Sequence, residues 1–358
     1  MMLLETVPTL VVVWFALIAV LWIGFFFLES FDFGVALLIP VLGRTDKERR
    51  VLINTIGPLW DGNEVWLLTA GGAMFAAFPG WYASMFSGLY LPLLLVLVGL
   101  ILRGVAFEYR NKNTDPRWRR MFDWFAIVGS FLPPLVLGIG FANFVVGLPN
   151  DGLLWNGNFW SLFGPFGLLG GVLLLAVALM HGATFLTLKT RGIVRERARA
   201  FAGRLGWVAV GLLAVFVICQ NVFWPATSEF ADLSAFAWAA GAVAIAGSAA
   251  SVLLTTTVKR EGWAFVTGGL SIVALFAGIF LRMYGNIGFT QDTTVPVLDR
   301  LNMVTAASSE TTLTIMTWAA VIFVPLVIGY QAWSYWVFSK RISTKNIPDE
   351  VEAAAATA

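Results

Sequence analysis

The chain has little of three things that a soluble enzyme uses freely. Only 12% of its 358 residues are charged, against roughly a quarter in an ordinary soluble domain. There is one cysteine, Cys219, and one histidine, His181. A single cysteine excludes an internal disulfide and a thiolate metal cluster. A single histidine excludes a bundle that holds several haems on its own imidazoles, and no metal site is expected. The formal net charge of +2 also lacks the excess of one sign that would point to nucleic acid or an acidic substrate.

What is present is apolar carbon. Hydrophobic residues make up 59% of the sequence and the mean hydropathy is +0.81, which identifies an all-α integral membrane protein. A crossing helix needs about 20 apolar residues, and about nine such runs occur: Thr9–Leu42, Val51–Phe78, Tyr82–Phe107, Phe122–Val146, Phe163–Leu188, Gly203–Trp224, Ser234–Val258, Trp263–Leu281 and Thr311–Phe338. The first is far longer than a signal-peptide core and lacks a basic leader, so a mature transmembrane helix is expected there. Arg and Lys gather in alternate connections, GRTDKERR, YRNKNTDPRWRR, LKTRGIVRERAR, VKRE and SKRISTK, while the connections between them carry almost none. The positive-inside rule then puts the N-terminus outside, the C-terminus in the cytoplasm and an odd number of helices between them. Trp81, Trp155, Trp160 and Trp224 are expected in the outer interfacial belt. Residues 1–341 read as one polytopic membrane domain and 342–358 as a frayed cytoplasmic tail.

The charges inside the apolar runs carry the functional signal, because an intramembrane ionisable group is costly. Taking the first two runs as continuous helices, Asp32 and Asp61 each lie about 15 Å from the cytoplasmic surface. Glu29 precedes Asp32 by three residues and Glu64 follows Asp61 by three, so each pair shares a helix face. Four carboxyls are thus expected at one level, in LESFDFG and WDGNEVW. Arg103, about 10 Å deep in LRGVAFEYR, is the deep cation within reach, and Glu108 lies near the surface. One cation cannot neutralise four acids, so some carboxyls must carry protons, as a proton wire requires. Trp60 and Asn63 add polar support to the same segment. His181 in LMHGAT reads as a hydrogen-bonded core imidazole. Pro58, Pro133 and Pro134 are expected to kink their helices, and Glu310 reads as an exposed acid at a helix start.

ESFDFGVALL, then GPLWDGNEVWLLTAGGAMFAAFP, YASMFSGLYLPL, RGVAFEYR and GSFLPPLVLGIGFAN, resemble subunit II of bacterial cytochrome bd quinol oxidases. The resemblance implies nine helices arranged as two four-helix bundles plus a peripheral helix, in the bacterial cytoplasmic membrane. It implies subunit I as partner, carrying haems b and d and the quinol-oxidising loop, with quinol and dioxygen as substrates of the complex and no haem in this chain. It implies a proton route from the cytoplasm in which Asp61 of the WDGN motif takes part, with Asp32 and Glu108 at acidic positions near it. Some members hold a structural quinone in subunit II, and small single-helix accessory subunits are compatible with the family. A proton-coupled transporter and an inert membrane scaffold are the rival readings; both need no haem-bearing partner, and the transporter expects paired broken helices in two repeats.

Overall fold

Apolar runs become helices in a membrane because the backbone has no water to bond to. The structure, a computed structural model, describes residues 7–151, 155–291, 294 and 296–348. Among them lie twelve α-helices and no strand: α1 (Thr9–Leu37), α2 (Ile39–Leu42), α3 (Asp46–Ile56), α4 (Trp60–Ala77), α5 (Pro79–Gly88), α6 (Tyr90–Tyr109), α7 (Pro116–Val146), α8 (Pro165–Lys189), α9 (Ile193–Phe223), α10 (Ser234–Leu253), α11 (Glu261–Met283) and α12 (Glu310–Val337). Eight of these are long and apolar enough to cross a membrane. The ninth long helix, α4, has 18 residues and falls short in hydropathy because Asp61, Asn63 and Glu64 lie in it.

Three expected helices are interrupted. The run 9–42 ends at Leu37 and resumes as α2, with Pro40 in its first turn. The run 51–78 is broken rather than kinked, because Pro58 has no N–H to give and its ring collides with the preceding turn. α3 therefore closes at Ile56 and α4 begins at Trp60. The run 82–107 divides at Leu89 into α5 and α6. Other helices extend past their expected starts: α7 begins at Pro116, with the Asp115 side chain accepting from the Arg117 N–H at 2.8 Å, and α9 begins at Ile193. α7 runs on through Pro133 and Pro134.

The helices form two groups, α1, α4, α6 and α7 in one and α8 to α11 in the other, with α12 lying outside against α1 and α4. Aromatic packing joins the groups: Phe26 of α1 stacks on Phe276 of α11 at 3.7 Å between centroids, and Phe141 of α7 meets Phe26 edge-on at 5.0 Å. α1 and α8 cross almost backbone to backbone. A Cβ on Gly34 would sit 1.9 Å from the Ala178 carbonyl oxygen, and one on Gly182 would sit 2.6 Å from the Gly34 carbonyl carbon. Small residues at such crossings are what membrane helices use for close packing.

Two expectations about the periphery change. Of the four tryptophans assigned to the outer belt, Trp160 is exposed, but Trp81 is buried and stacks on Phe15 at 5.9 Å, since α5 folds back into the core. The tail is not frayed from 342: Ile342 exchanges backbone hydrogen bonds with Lys189 and Arg191, and Ile347 is buried. Residues 349–358 of that expected tail lie outside the described residues.

The α1–α8 crossing generates a prediction. Gly182→Ala drives a methyl group into the Gly34 backbone and is expected to destabilise the protein by about 1–3 kcal/mol. Gly211→Ala on α9, where nothing lies within 4 Å, serves as the control. Thermal unfolding of the two purified variants checks this; equal midpoints would refute the close crossing.

Candidate functional site

The site begins with where Arg103 is held. α6 and α7 pack so closely that a Cβ on Gly129 would lie 2.6 Å from the Arg103 backbone nitrogen. The guanidinium is fully buried. Its Nη1 donates to Glu29 Oε2 of α1, and its Nη2 donates to Glu64 Oε2 of α4 at 2.7 Å. Its flat faces are covered by Phe33, 4.6 Å from the ring centre, and Trp60, at 5.9 Å. One cation thus ties three helices together through two carboxylates.

Asp32 lies one turn after Glu29 and is also fully buried. Its Oδ2 accepts from Asn63 Nδ2 of α4 at 2.6 Å. Asn63 Oδ1 accepts in turn from the Tyr335 hydroxyl at 2.8 Å and from Gln331 Nε2 at 3.2 Å, both on α12. Gln331 Oε1 accepts from Trp66 Nε1 at 2.8 Å. Asp32 Oδ1 and Glu29 Oε1 are buried without a hydrogen-bond partner among the described residues.

Of the expected cluster, the structure brings together Glu29, Asp32, Glu64, Asn63, Arg103 and Trp60. It does not bring Asp61 or Glu108 into it. Asp61 stands exposed in the first turn of α4, and Glu108 is exposed near the end of α6. Direction is the reason: Asp61 stands one turn before Glu64 but on the outward face of α4 with Val65 and Leu68, whereas Asn63 points inward. An acid in a helix's first turn is also favourable against the free N–H groups there. Sequence reasoning missed Tyr335, Gln331 and Trp66, which are uncharged and lie far from or beside the acidic motifs without marking themselves.

The basic connections meet at one end of the bundle in a layer of ion pairs. Asp123 accepts from Arg49 at 2.8 Å and Arg110 at 2.5 Å, and Asp46 accepts from Arg110 at 2.8 Å and Arg119 at 3.0 Å. Glu48 closes a capping box with Thr45 at the start of α3 and accepts from Arg197 at 2.9 Å. Burial works to raise the Glu48 carboxyl, but the Arg197 hydrogen bond and the Arg44 and Thr45 N–H groups outweigh it and hold it below its ordinary value. A largely apolar cavity of about 460 Å³ opens between α4, α5 and α6, lined by Leu67, Gly71, Phe75, Tyr82, Phe86 and Leu93 among others.

Comparison with known proteins decides the family. The model of the cytochrome bd terminal oxidase subunit II family matches residues 10–338. The chain belongs to that family. It is 37% identical to the cytochrome bd-I ubiquinol oxidase subunit 2 of Escherichia coli (strain K12), over 94% of this chain and 96% of that one. It is 40% identical to the cytochrome bd ubiquinol oxidase subunit 2 of Bacillus subtilis (strain 168), over 93% and 97% respectively. The structure of bd oxidase from Geobacillus thermodenitrificans superposes with a TM-score of 0.72 at 18% identity, covering 92% of this chain and 98% of that one, a likeness of fold. As a bd subunit II the chain is a non-catalytic, multi-pass membrane part of a terminal quinol oxidase, in complex with subunit I. Membership does not favour the transporter reading.

His181 is fully buried, with its ring stacked on Phe265 at 4.6 Å and flanked by Phe27 and Phe31. Neither ring nitrogen finds a hydrogen-bond partner among the described residues, which corrects the expectation of a bonded imidazole. Among those residues no three His, Cys, Asp or Glu side chains converge as a metal site. The family's haems belong to the partner subunit.

Two predictions follow from this geometry. Arg103→Leu leaves two carboxyls without their cation and is expected to cost about 3–5 kcal/mol, read as loss of the assembled protein from membranes, whereas wild-type yield would contradict the bridging role. For Glu48, a folded-state value below the ordinary 4.5 means its stabilisation is present above that pH and is lost as pH falls through the lower folded value. The difference in thermal stability between wild type and Glu48→Gln is therefore expected at pH 7 and should shrink on acidification below 4.5.

Proposed function

We propose that this subunit supplies the oxidase with a proton route from the cytoplasm, running through Asp32, Glu29 and Glu64 toward Asp61 on the face that subunit I covers. The observation that carries this reading is the excess of acid over cation: Glu29, Asp32 and Glu64 surround Arg103 alone. In a medium of low dielectric three carboxylates around one cation leave negative charge unbalanced, so the set as a whole holds at least one proton. A carboxyl that holds a proton between fixed donors and acceptors can pass it on. Exposure is also graded along the set. Glu29 and Asp32 are 0% exposed, the Glu64 side chain is 22% exposed, and Asp61 is open.

The face that carries Asp61 supports the partner assignment. Asp61, Val65, Leu68 and Phe75 form an exposed stripe on α4, and Ile101, Val105 and Glu108 form another on α6. An ionisable group on a membrane helix does not face lipid; it faces protein or trapped water. The partner over this face is subunit I, and Asp61 and Glu108 are the groups it meets. The basic ion-pair layer then lies in the cytoplasm, with the N-terminus outside, in the bacterial cytoplasmic membrane. The cavity beside α5 has the apolar lining that the tail of a structural quinone would take.

Replacing Asp61 with Asn keeps the size and removes the titratable proton. In the purified two-subunit oxidase the haem spectrum is expected to stay normal while quinol-driven oxygen consumption falls about tenfold or more. Unchanged turnover with haem intact would remove Asp61 from the route.

A further inference from the structure

The helix α12 is the least enclosed of the long helices, with 6% of its apolar window buried, yet it makes polar contacts at the acid cluster. Those contacts have a fixed direction. An indole N–H can only donate, so Trp66 forces Gln331 to turn its oxygen toward α4's tryptophan and its amide nitrogen toward Asn63. Asn63 Oδ1 then receives both Gln331 Nε2 and the Tyr335 hydroxyl, at 3.2 and 2.8 Å. With its oxygen so engaged, Asn63 has its Nδ2 left for Asp32 and donates to Oδ2 at 2.6 Å.

We propose that Gln331 and Tyr335 are positioning residues of the proton route, which fix Asn63 as a donor and thereby confine proton binding on Asp32 to its other oxygen, Oδ1. This inference rests on the proton-route reading above. A carboxyl oxygen that always accepts from an amide N–H is not the oxygen that takes up the proton. Oδ1 is buried and unpartnered among the described residues, as is Glu29 Oε1 one turn earlier on the same face of α1. The proton leaves one of these two oxygens and binds the other, directly or through a water, and no other bond changes. The ionisable groups around Asp32 are Glu29 on its own helix, Glu64 of α4, Arg103 of α6 and Tyr335 of α12. His181 of α8 is enclosed by phenylalanines instead. If Asn63 were free to rotate, its amide could present oxygen to Asp32, and the proton would then be drawn to Oδ2 and away from Glu29.

The test uses the purified two-subunit oxidase carrying Asp32→Asn, or Tyr335→Phe together with Gln331→Leu, each checked for full haem content. Three quantities are measured: quinol-driven oxygen consumption, its pH profile, and the infrared C=O band of a protonated carboxyl that disappears in Asp32→Asn. Asp32→Asn is expected to lose most turnover. The double variant is expected to keep its haem, lose about fivefold in turnover, displace its pH profile, and shift the Asp32 band. A merely structural role for α12 would leave the band and the pH profile where they are. Collapse in Asp32→Asn with a wild-type rate, profile and band in the double variant overturns the positioning role and leaves the proton route standing. Wild-type turnover in Asp32→Asn overturns the route itself and the inference with it. If the double variant loses haem, Tyr335→Phe alone, which keeps the ring, decides by the same three measurements.

Discussion

One buried guanidinium organises the first half of the molecule. Arg103 has no solvent to fall back on, so its charge must be met by protein, and the two carboxylates that meet it come from two other helices. Everything that brings those helices to the right distance serves this requirement. The glycine contact lets α7 pack against the α6 backbone at Arg103, Phe33 and Trp60 close over its faces, and α1 and α4 supply the acids. Once those acids are in place, Asp32 is an extra carboxyl in a region whose cation is already shared. Fold and site are therefore the same arrangement, because the bundle closes around three acids and one cation.

The second half of the molecule behaves differently. α8 to α11 carry polar residues bonded to backbone carbonyls, within the helix for Thr187 and Asn221 and across to Ala264 of α11 for Ser251 of α10, and a histidine shut in by aromatic rings. Packing and not titration is the business of this group, which steadies α1 through the Gly34–Gly182 crossing and the Phe26–Phe276 stack.

Much of this was legible in the sequence because hydropathy and lone charges are strong signals in a membrane protein. Nine long helices, the side on which the basic connections gather, and the grouping of Glu29, Asp32, Glu64 and Arg103 could all be read from residue types and spacing. The breaks at Leu38, Pro58 and Leu89 could not be located by hydropathy, which counts apolar carbon and is blind to an interrupted hydrogen-bond ladder. Asp61 was expected inside the cluster because spacing gives the turn a residue occupies and not which face of the helix the neighbours cover, and α4 turns it outward. Gln331 and Tyr335 stayed hidden because a glutamine has no charge to flag it, and a tyrosine near a basic helix end looks like any interfacial aromatic. Their meaning depends on a partner, Asn63, that stands more than 260 positions earlier in the chain.

That separation has a consequence for how the protein is made. Chains emerge from the ribosome N-terminus first, so α1, α4 and α6 are in the membrane, with their acids and arginine, long before α12 exists. Until that last long helix is inserted, Asn63 lacks the hydrogen bonds that Gln331 and Tyr335 provide. The final span is thus the closing piece of a site whose other parts lie in the first third of the polypeptide, and completion of the centre coincides with completion of the chain.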